Sequence, residues 1–533
     1  MRFSDITSRL LGATVAWTLA VTLLLSGPGS AAPEAQAPAP GSATLPPEAA
    51  DAAREALERA EVAMSGAPVG ASDTVESPTL ALADLLVAYP ELSVQQRRQA
   101  DRLLARPTDS TTEEPLKWGS SPESDLSPAC GPRVCVHWTN TGDDAPSAID
   151  EDLDGIPDWV RTTLSEVEAV WDFEVGTLGY RAPASDGTLG NKGGDDTDGL
   201  FDVYLGNLGP EALFGYCAPE ELVSGQSWLA YGYCVLDNDY AEFPLGPLPS
   251  LKVTAAHEFF HAIQFNYDVG EDNWFKEATA TWMEERVADS VNDNRGYLKF
   301  GQLGKPARPL DTFEGLTHYG NWLFFERFSA KYGVAAVRSL WNRLDAADGA
   351  PDQYSTQALK GFLNARGSSL PSFYGAFAAG NLIPERTYSE GAAYRATPFS
   401  DTFKLKARRV TIRPQTKKLR HLASASYRFK AAKSLRSARK LKIIIDAPKR
   451  ATSPVAVAYT HFQSGKITKK RIPLSRSGAG SAKVKFNRRV TKVTLTLANA
   501  SSRFSCNRGG VYSCDGIARD DPEKFEFSVK VLR

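Results

Sequence analysis

Histidine, methionine and cysteine are scarce in this chain of 533 residues: it has six His, three Met and six Cys. Beyond residue 25 no apolar run approaches the roughly 20 residues a membrane-spanning helix needs, so no span is expected in the mature chain. The cysteines lack the close paired spacings of a thiolate zinc site, which argues against one. They fall instead into three sequence-local pairs: Cys130 with Cys135, Cys217 with Cys234, and Cys506 with Cys514. In an exported chain such pairs read as disulfides, with proximity choosing among the pairings that six cysteines allow. No cysteine lies between residues 33 and 120, which excludes a thiolate from that stretch as a metal inhibitor. Acidic residues are rare at one end: residues 401–533 hold 33 Lys and Arg against 7 Asp and Glu. The formal net charge of −2 therefore hides an acidic body and a basic tail.

Two of the six histidines stand four residues apart in the stretch His257-Glu258-Phe259-Phe260-His261. With histidine this rare, an accidental His-Glu-x-x-His is expected roughly 0.004 times in the chain. The flanking residues are apolar or small, with no Gly or Pro until Gly270, and Pro249-Ser250 reads as a helix start capped by Ser250. On a helix, residues four apart share a face with Cβ atoms about 5–6 Å apart, so both imidazoles reach one ion. Zinc suits two imidazoles and one carboxylate with a fourth position open for water, and Glu258 is placed to deprotonate that water.

A third ligand is required. A histidine ligand six residues after His261, preceded by Gly at 264, is excluded by Gln264 and Tyr267. A second helix follows instead, residues 274–285, with Glu277 near its start and Glu284 and Glu285 as competing acids. The run Trp274-Phe275-Lys276-Glu277-Ala278-Thr279-Ala280 resembles the segment that supplies a glutamate ligand in the gluzincin branch of the zincin metallopeptidases. Residues 130–345 look like a group of secreted bacterial metalloproteases. The resemblance implies a zinc peptidase with His257, His261 and Glu277 as ligands and Glu258 as general base. It also implies a downstream Tyr or His that binds the developing oxyanion, for which Tyr319 and His318 stand at the start of a helix running to about Gly333. Thermolysin-like members place Asp four residues after the ligand Glu; Thr281 stands here, so the partner of the first His must come from elsewhere.

The remaining chain fits an exported enzyme. Arg2 and Arg9 precede an apolar run over residues 10–25 and small residues to Ala32, the pattern of a signal peptide spanning 1–32. Residues 33–120 read as a Pro/Ala-rich linker and helices over 47–66 and 79–105, a propeptide-like region that is either a removable inhibitor and folding aid or a spacer. Residues 121–400 would form the zincin-like domain. Residues 134–138, 201–205 and 228–239 are expected strands, and either of the last two would be the edge that takes extended peptide by strand addition. His137 is expected to be structural. Asp150, Asp152, Asp154 and Asp158 have the alternation of a Ca²⁺ loop, although Arg161 stands where an EF-hand needs a bidentate acid. Asp195, Asp196, Asp198 and Asp202 form a second acidic run. Residues 401–533 alternate in short stretches at 441–445, 455–459, 482–486, 490–497 and 525–531, as a β-sandwich does.

The expected fold class is α+β: a helical pro-region, a zincin-like catalytic domain and a basic all-β sandwich. The expected function is a secreted or cell-surface zinc metallopeptidase acting on protein or peptide, with Ca²⁺ as a further candidate ion. The basic tail suits anionic cell-wall polymers or glycans; no aromatic stacking motif points to specific nucleic acid. Two other functions share these residues: a non-proteolytic wall-binding protein with a structural metal, and a zinc hydrolase of non-peptide amides.

Overall fold

The computed structural model describes residues 47–65, 77–108, 114–116, 118, 128–190, 199–408, 410–432, 435 and 439–532. The expected signal peptide, most of the linker, and Asp195, Asp196 and Asp198 lie outside these residues. Among the described residues no helix is long and apolar enough to cross a membrane.

Three helices come first: α1 (Pro47–Met64), α2 (Pro78–Ala88) and α3 (Val94–Leu104). A capping box between Ser93 and Gln96 starts α3. A proline at its first position starts α2, whose Leu80, Ala81, Leu82, Ala83 and Leu85 are fully buried. A five-stranded sheet follows, in the order β1-β2-β3-β5-β4. Its strands are β1 (Ala129–Cys130), β2 (Val134–His137), β3 (Phe201–Gly206), β4 (Gly215–Leu222) and β5 (Ala230–Asp237). β2, β3 and β5 are parallel, and β1 and β4 run antiparallel at the two edges. Helix α4 (Asp158–Trp171) lies between β2 and β3 in sequence and continues into a π-helical stretch, Asp172–Thr177.

The edge assignment corrects the sequence expectation. Residues 201–206 and 230–237 pair on both sides; the outer strand is β4. Its Pro219 and the adjacent Glu220 and Glu221 break the apolar alternation by which a strand is read, and proline is tolerated there because an edge strand has amides that need no ladder partner.

Helices α5 (Pro247–Asp268) and α6 (Asn273–Val287) pack together, and α5 also packs on β5, β4 and α4. Apart from its first turn, α5 is buried on nearly all sides, as an apolar and small-residue composition demands. It starts earlier than expected. Gly246, at φ +79°, turns the chain, Pro247 opens the first turn, and Ser250 is buried inside the helix without capping it. Beyond lie α7 (Trp322–Tyr332), α8 (Ala335–Leu344), α9 (Ser355–Ala365), α10 (Leu370–Gly380) and α11 (Pro384–Thr387). One hydrophobic core runs from α1 through the sheet and α5 to α10.

The C-terminal region is a β-sandwich. One sheet has the order β11-β10-β13-β8-β6, built from β6 (Asp401–Leu405), β8 (Ala423–Ala431), β10 (Pro454–Phe462), β11 (Ile467–Arg471) and β13 (Val490–Asn499). The other, β12-β9-β16-β7, uses β7 (Thr411–Leu419), β9 (Lys440–Asp446), β12 (Ala479–Lys485) and β16 (Glu523–Leu532). A separate core fills the space between the sheets. The first sheet also packs on α10, where the missing side chain of Gly375 admits Val455: a Cβ there would sit 2.4 Å from a Val455 methyl. The whole is a mixed helix-and-sheet chain ending in a β-sandwich, held by the three disulfides read from proximity.

Candidate metal centre

His257 and His261 lie one turn apart on α5, and Glu277 reaches them from the first turns of α6. One donor atom from each lies within 4.8 Å of the others. His261 and Glu277 are fully buried and His257 is 8 % exposed. Glu277 Oε2 is 3.1 Å from His257 Nε2 and 3.8 Å from His261 Nε2.

The other ring nitrogens are engaged elsewhere. His257 Nδ1 bonds Glu284 Oε1 at 2.7 Å, and His261 Nδ1 bonds Gln264 Oε1 at 2.8 Å. A proton on each Nδ1 satisfies these acceptors and leaves both Nε2 lone pairs facing Glu277. His261 Nε2 and Glu277 Oε1 are buried without a hydrogen-bond partner. Buried polar atoms rarely stay unpaired, so this donor set fits a cation at their centre.

Without an ion, the charges redistribute. Burial disfavours a charged His257, but hydrogen bonds and attraction from Glu277 and Glu284 outweigh it and raise its pKa well above the ordinary range. Burial likewise opposes ionisation of Glu277, and the two histidines overcome it and hold that carboxyl well below its ordinary range. Glu284 is pushed up to about 7 by burial, against the pull of His257.

Glu258 projects from the same turn of α5 and is 8 % exposed. Its Oε2 accepts from Thr79 Oγ1 of α2 at 2.9 Å. Tyr319 is half-buried, with its ring centroid 5.9 Å from that of His257. Burial, then Glu277, raises its phenol well above the ordinary range, so it stays a hydrogen-bond donor. His318 is buried against Phe313 and Tyr319, with centroids 4.5 and 4.4 Å away, and burial lowers its pKa to about 4. It is a neutral ring tilted against Tyr319, and it makes no hydrogen bond to Glu258 or to the three candidate ligands.

Sequence reasoning ranked Glu284 and Glu285 as rivals of Glu277 for the ion. The structure gives Glu284 to the Nδ1 of His257 and Glu285 to Asn294, at 2.8 Å. Glu284 lies seven residues after Glu277, two turns along the same helical face, which is the signal that was available. Thr281 only bonds back to the carbonyl of Glu277, at 2.9 Å. Gln264 and Thr79 were not recognised as partners of the site, and neither was Glu174. The last is fully buried in the π-helical stretch, with neither oxygen hydrogen-bonded and its pKa raised by burial.

The structure brings together three of the four acids of the expected Ca²⁺ loop. Asp150, Asp152 and Asp154 cluster within 4.8 Å. Asp150 accepts from the amides of Asp154 and Gly155, Asp154 accepts from that of Ile156, and Arg161 pairs with Asp154. Asp158 stands apart, at the start of α4, and accepts from the Glu151 amide at 3.3 Å. Asp202 of the second run is fully buried on β3 between Arg106 and His137, 2.8 Å from the imidazole. His137 is thereby a structural ring, stacked on Tyr204.

No family model matches the sequence, and no curated protein does. Among solved structures, the chain is similar to the pre-peptidase C-terminal domain of a collagenase from Bacillus anthracis, at 14% identity and TM-score 0.17, over 26% of this chain and 100% of that one. It is similar to CorA, a surface-associated copper-binding protein of Methylomicrobium album BG8, at 9% identity and TM-score 0.17, over 25% of this chain and 98% of that one. It is also similar to a family GH115 4-O-methyl-alpha-glucuronidase, BtGH115A, at 8% identity and TM-score 0.13, over 54% of this chain and 32% of that one.

Proposed function

We propose that the chain is an exported zinc metallopeptidase of zincin type, with His257, His261 and Glu277 holding the ion. The observation that carries this reading is the orientation of the two imidazoles. Each Nδ1 is occupied by an acceptor, and both Nε2 atoms face a buried carboxylate. When bound, zinc would supply Lewis acidity toward a carbonyl and lower the pKa of a water toward about 7. Glu258 takes a proton from the attacking water and returns it to the leaving amine. Tyr319 donates a hydrogen bond from its phenol to the developing oxyanion. Peptide extends along the outer edge of β4, the strand next to Glu258, by main-chain hydrogen bonds.

The sandwich would hold the enzyme near anionic polymers. A groove on it is lined by Lys466, Lys469, Lys470, Lys483 and Lys485. Burial, then Arg327 and Lys331, lowers the pKa of Lys469, a crowding of like charge that an anion relieves.

Glu258→Gln tests the reading. The variant should bind zinc as the parent does and lose peptide hydrolysis by roughly 10²–10⁴-fold, the range for a general base. Hydrolysis of casein at the parent rate by the purified variant would overturn the mechanism.

A further inference from the structure

Glu258 is covered by the chain's own N-terminal region. The Thr79 hydroxyl donates to Glu258 Oε2 at 2.9 Å and accepts from the backbone amide of Cys217 at 2.9 Å. Cys217 lies opposite Cys234 in the β4–β5 ladder, with Cα atoms 3.9 Å apart. So short a separation marks a pair without mutual hydrogen bonds, whose amides point away from the partner strand. The amide that Thr79 caps is therefore on the open edge of β4. One hydroxyl thus closes two places: the carboxylate that would receive the proton of an attacking water, and an edge amide that an extended peptide would bond.

The rest of the segment fixes that hydroxyl. Thr79 sits in the first turn of α2, which packs on β4 with Leu80, Leu82 and Leu85 fully buried. Asp84 of α2 pairs with Arg59 of α1 and accepts from Asn273 Nδ2, at the start of α6, at 3.3 Å. Arg106, just past α3, is buried among Asp186, Asp202 and Glu220, the last of these on β4 itself. A helix that only completed a core would need apolar side chains alone. This one places a hydroxyl on the carboxylate beside the candidate ligands.

We propose that residues 78–106 hold the chain in a latent form. The Thr79 hydroxyl occupies the position of the attacking water on Glu258, and α2 occupies the outer edge of β4 in place of substrate. Release of this segment opens the site. The proposal rests on the peptidase reading above.

The test uses the full chain in three forms: parent, Thr79→Val, and Leu82→Asp with Leu85→Asp. Hydrogen exchange of β4 is followed with β13 as the folding control, together with hydrolysis of an unstructured fluorogenic peptide in excess zinc. Thr79→Val keeps the side-chain volume and removes both hydrogen bonds; it should raise β4 exchange and hydrolysis about tenfold, the cost of a hydrogen bond to a charged group. The double variant buries two carboxylates if α2 stays docked, so it should expel the helix and raise both readouts about a hundredfold, with β13 unchanged. If β4 opens and no peptide is cut, the covering of β4 stands and the peptidase reading falls. Equal, measurable hydrolysis by all three forms overturns latency while leaving the peptidase reading intact. Equal β4 exchange in all three overturns the proposal outright. If β13 exchange also rises in the double variant, Thr79→Val decides alone.

Discussion

Each histidine of the candidate centre turns one nitrogen to a supporting acceptor and the other toward Glu277. Glu284 holds His257 through Nδ1 and Gln264 holds His261 in the same way, so ring rotation is checked before any ion arrives. The histidine pair was legible from spacing, since a turn of helix dictates which residues share a face, whereas Glu277 came from the resemblance of residues 274–280 and not from spacing. The supporting residues were not, because the Asp expected four residues after Glu277 is Thr281 and its task passes to an acid seven residues after it. Glu284→Ala should lower zinc affinity about 10–100-fold with the fold retained, as removal of such supports does. Competition with a chromophoric chelator reads this directly; unchanged affinity would assign Glu284 no part in holding the ring.

At the scale of elements, α5, α6 and the 3₁₀ turn Tyr319–Asn321 bring the site together. The turn depends on two glycines in close approach. A Cβ on Gly320 would lie 2.3 Å from the Tyr297 carbonyl oxygen and 2.4 Å from the Gly301 amide nitrogen, both backbone atoms. Gly320→Val should therefore displace Tyr319 and cut kcat well beyond any change in zinc content. Equal losses of kcat and zinc would mean the turn supports the ligands instead. Periodicity revealed α5 and α6 because their residues are uniformly apolar or small. It missed β4, where Pro219-Glu220-Glu221 interrupts the pattern, and it left residues 345–400 unassigned although α9 and α10 lie there. It missed β7 as well, whose four Lys, Arg and Pro residues mask a buried face of only Ile412 and Leu419. The bond from Thr79 to Glu258 spans 179 residues, a distance over which no local pattern carries information.

Across the whole molecule, an acidic body meets a basic sandwich, and a buried ion pair lies at the contact. His421, just before β8, bonds Asp311 of the body through Nε2 and Asp521 of the sandwich through Nδ1, each at 2.9 Å. Burial opposes its charge, but the two carboxylates raise its pKa to about 9. Because this folded value lies above the unfolded value of about 6.5, the stabilisation is complete below about pH 6.5 and is lost as pH rises through about 9. Asp521 is held below its ordinary value by His421, so its share is present above about pH 4 and lost on further acidification. The difference in melting temperature between parent and His421→Asn should be constant from about pH 5 to 6.5 and shrink as pH rises through about 9; parallel curves across that range would refute the assignment. The charge division was readable from composition, whereas this three-residue bridge joins positions too far apart to be read. The peptidase reading depends on His257, His261 and Glu277 sharing one ion, and X-ray absorption at the zinc edge of the purified, zinc-loaded chain tests that most directly. The expected spectrum shows one zinc per chain with two imidazole nitrogens at about 2.0–2.1 Å, carboxylate or water oxygens at about 2.0–2.2 Å and no sulfur, and the imidazole signal falls by half in His261→Ala. A sulfur shell, an absence of stoichiometric zinc, or a spectrum unchanged by His261→Ala would contradict it.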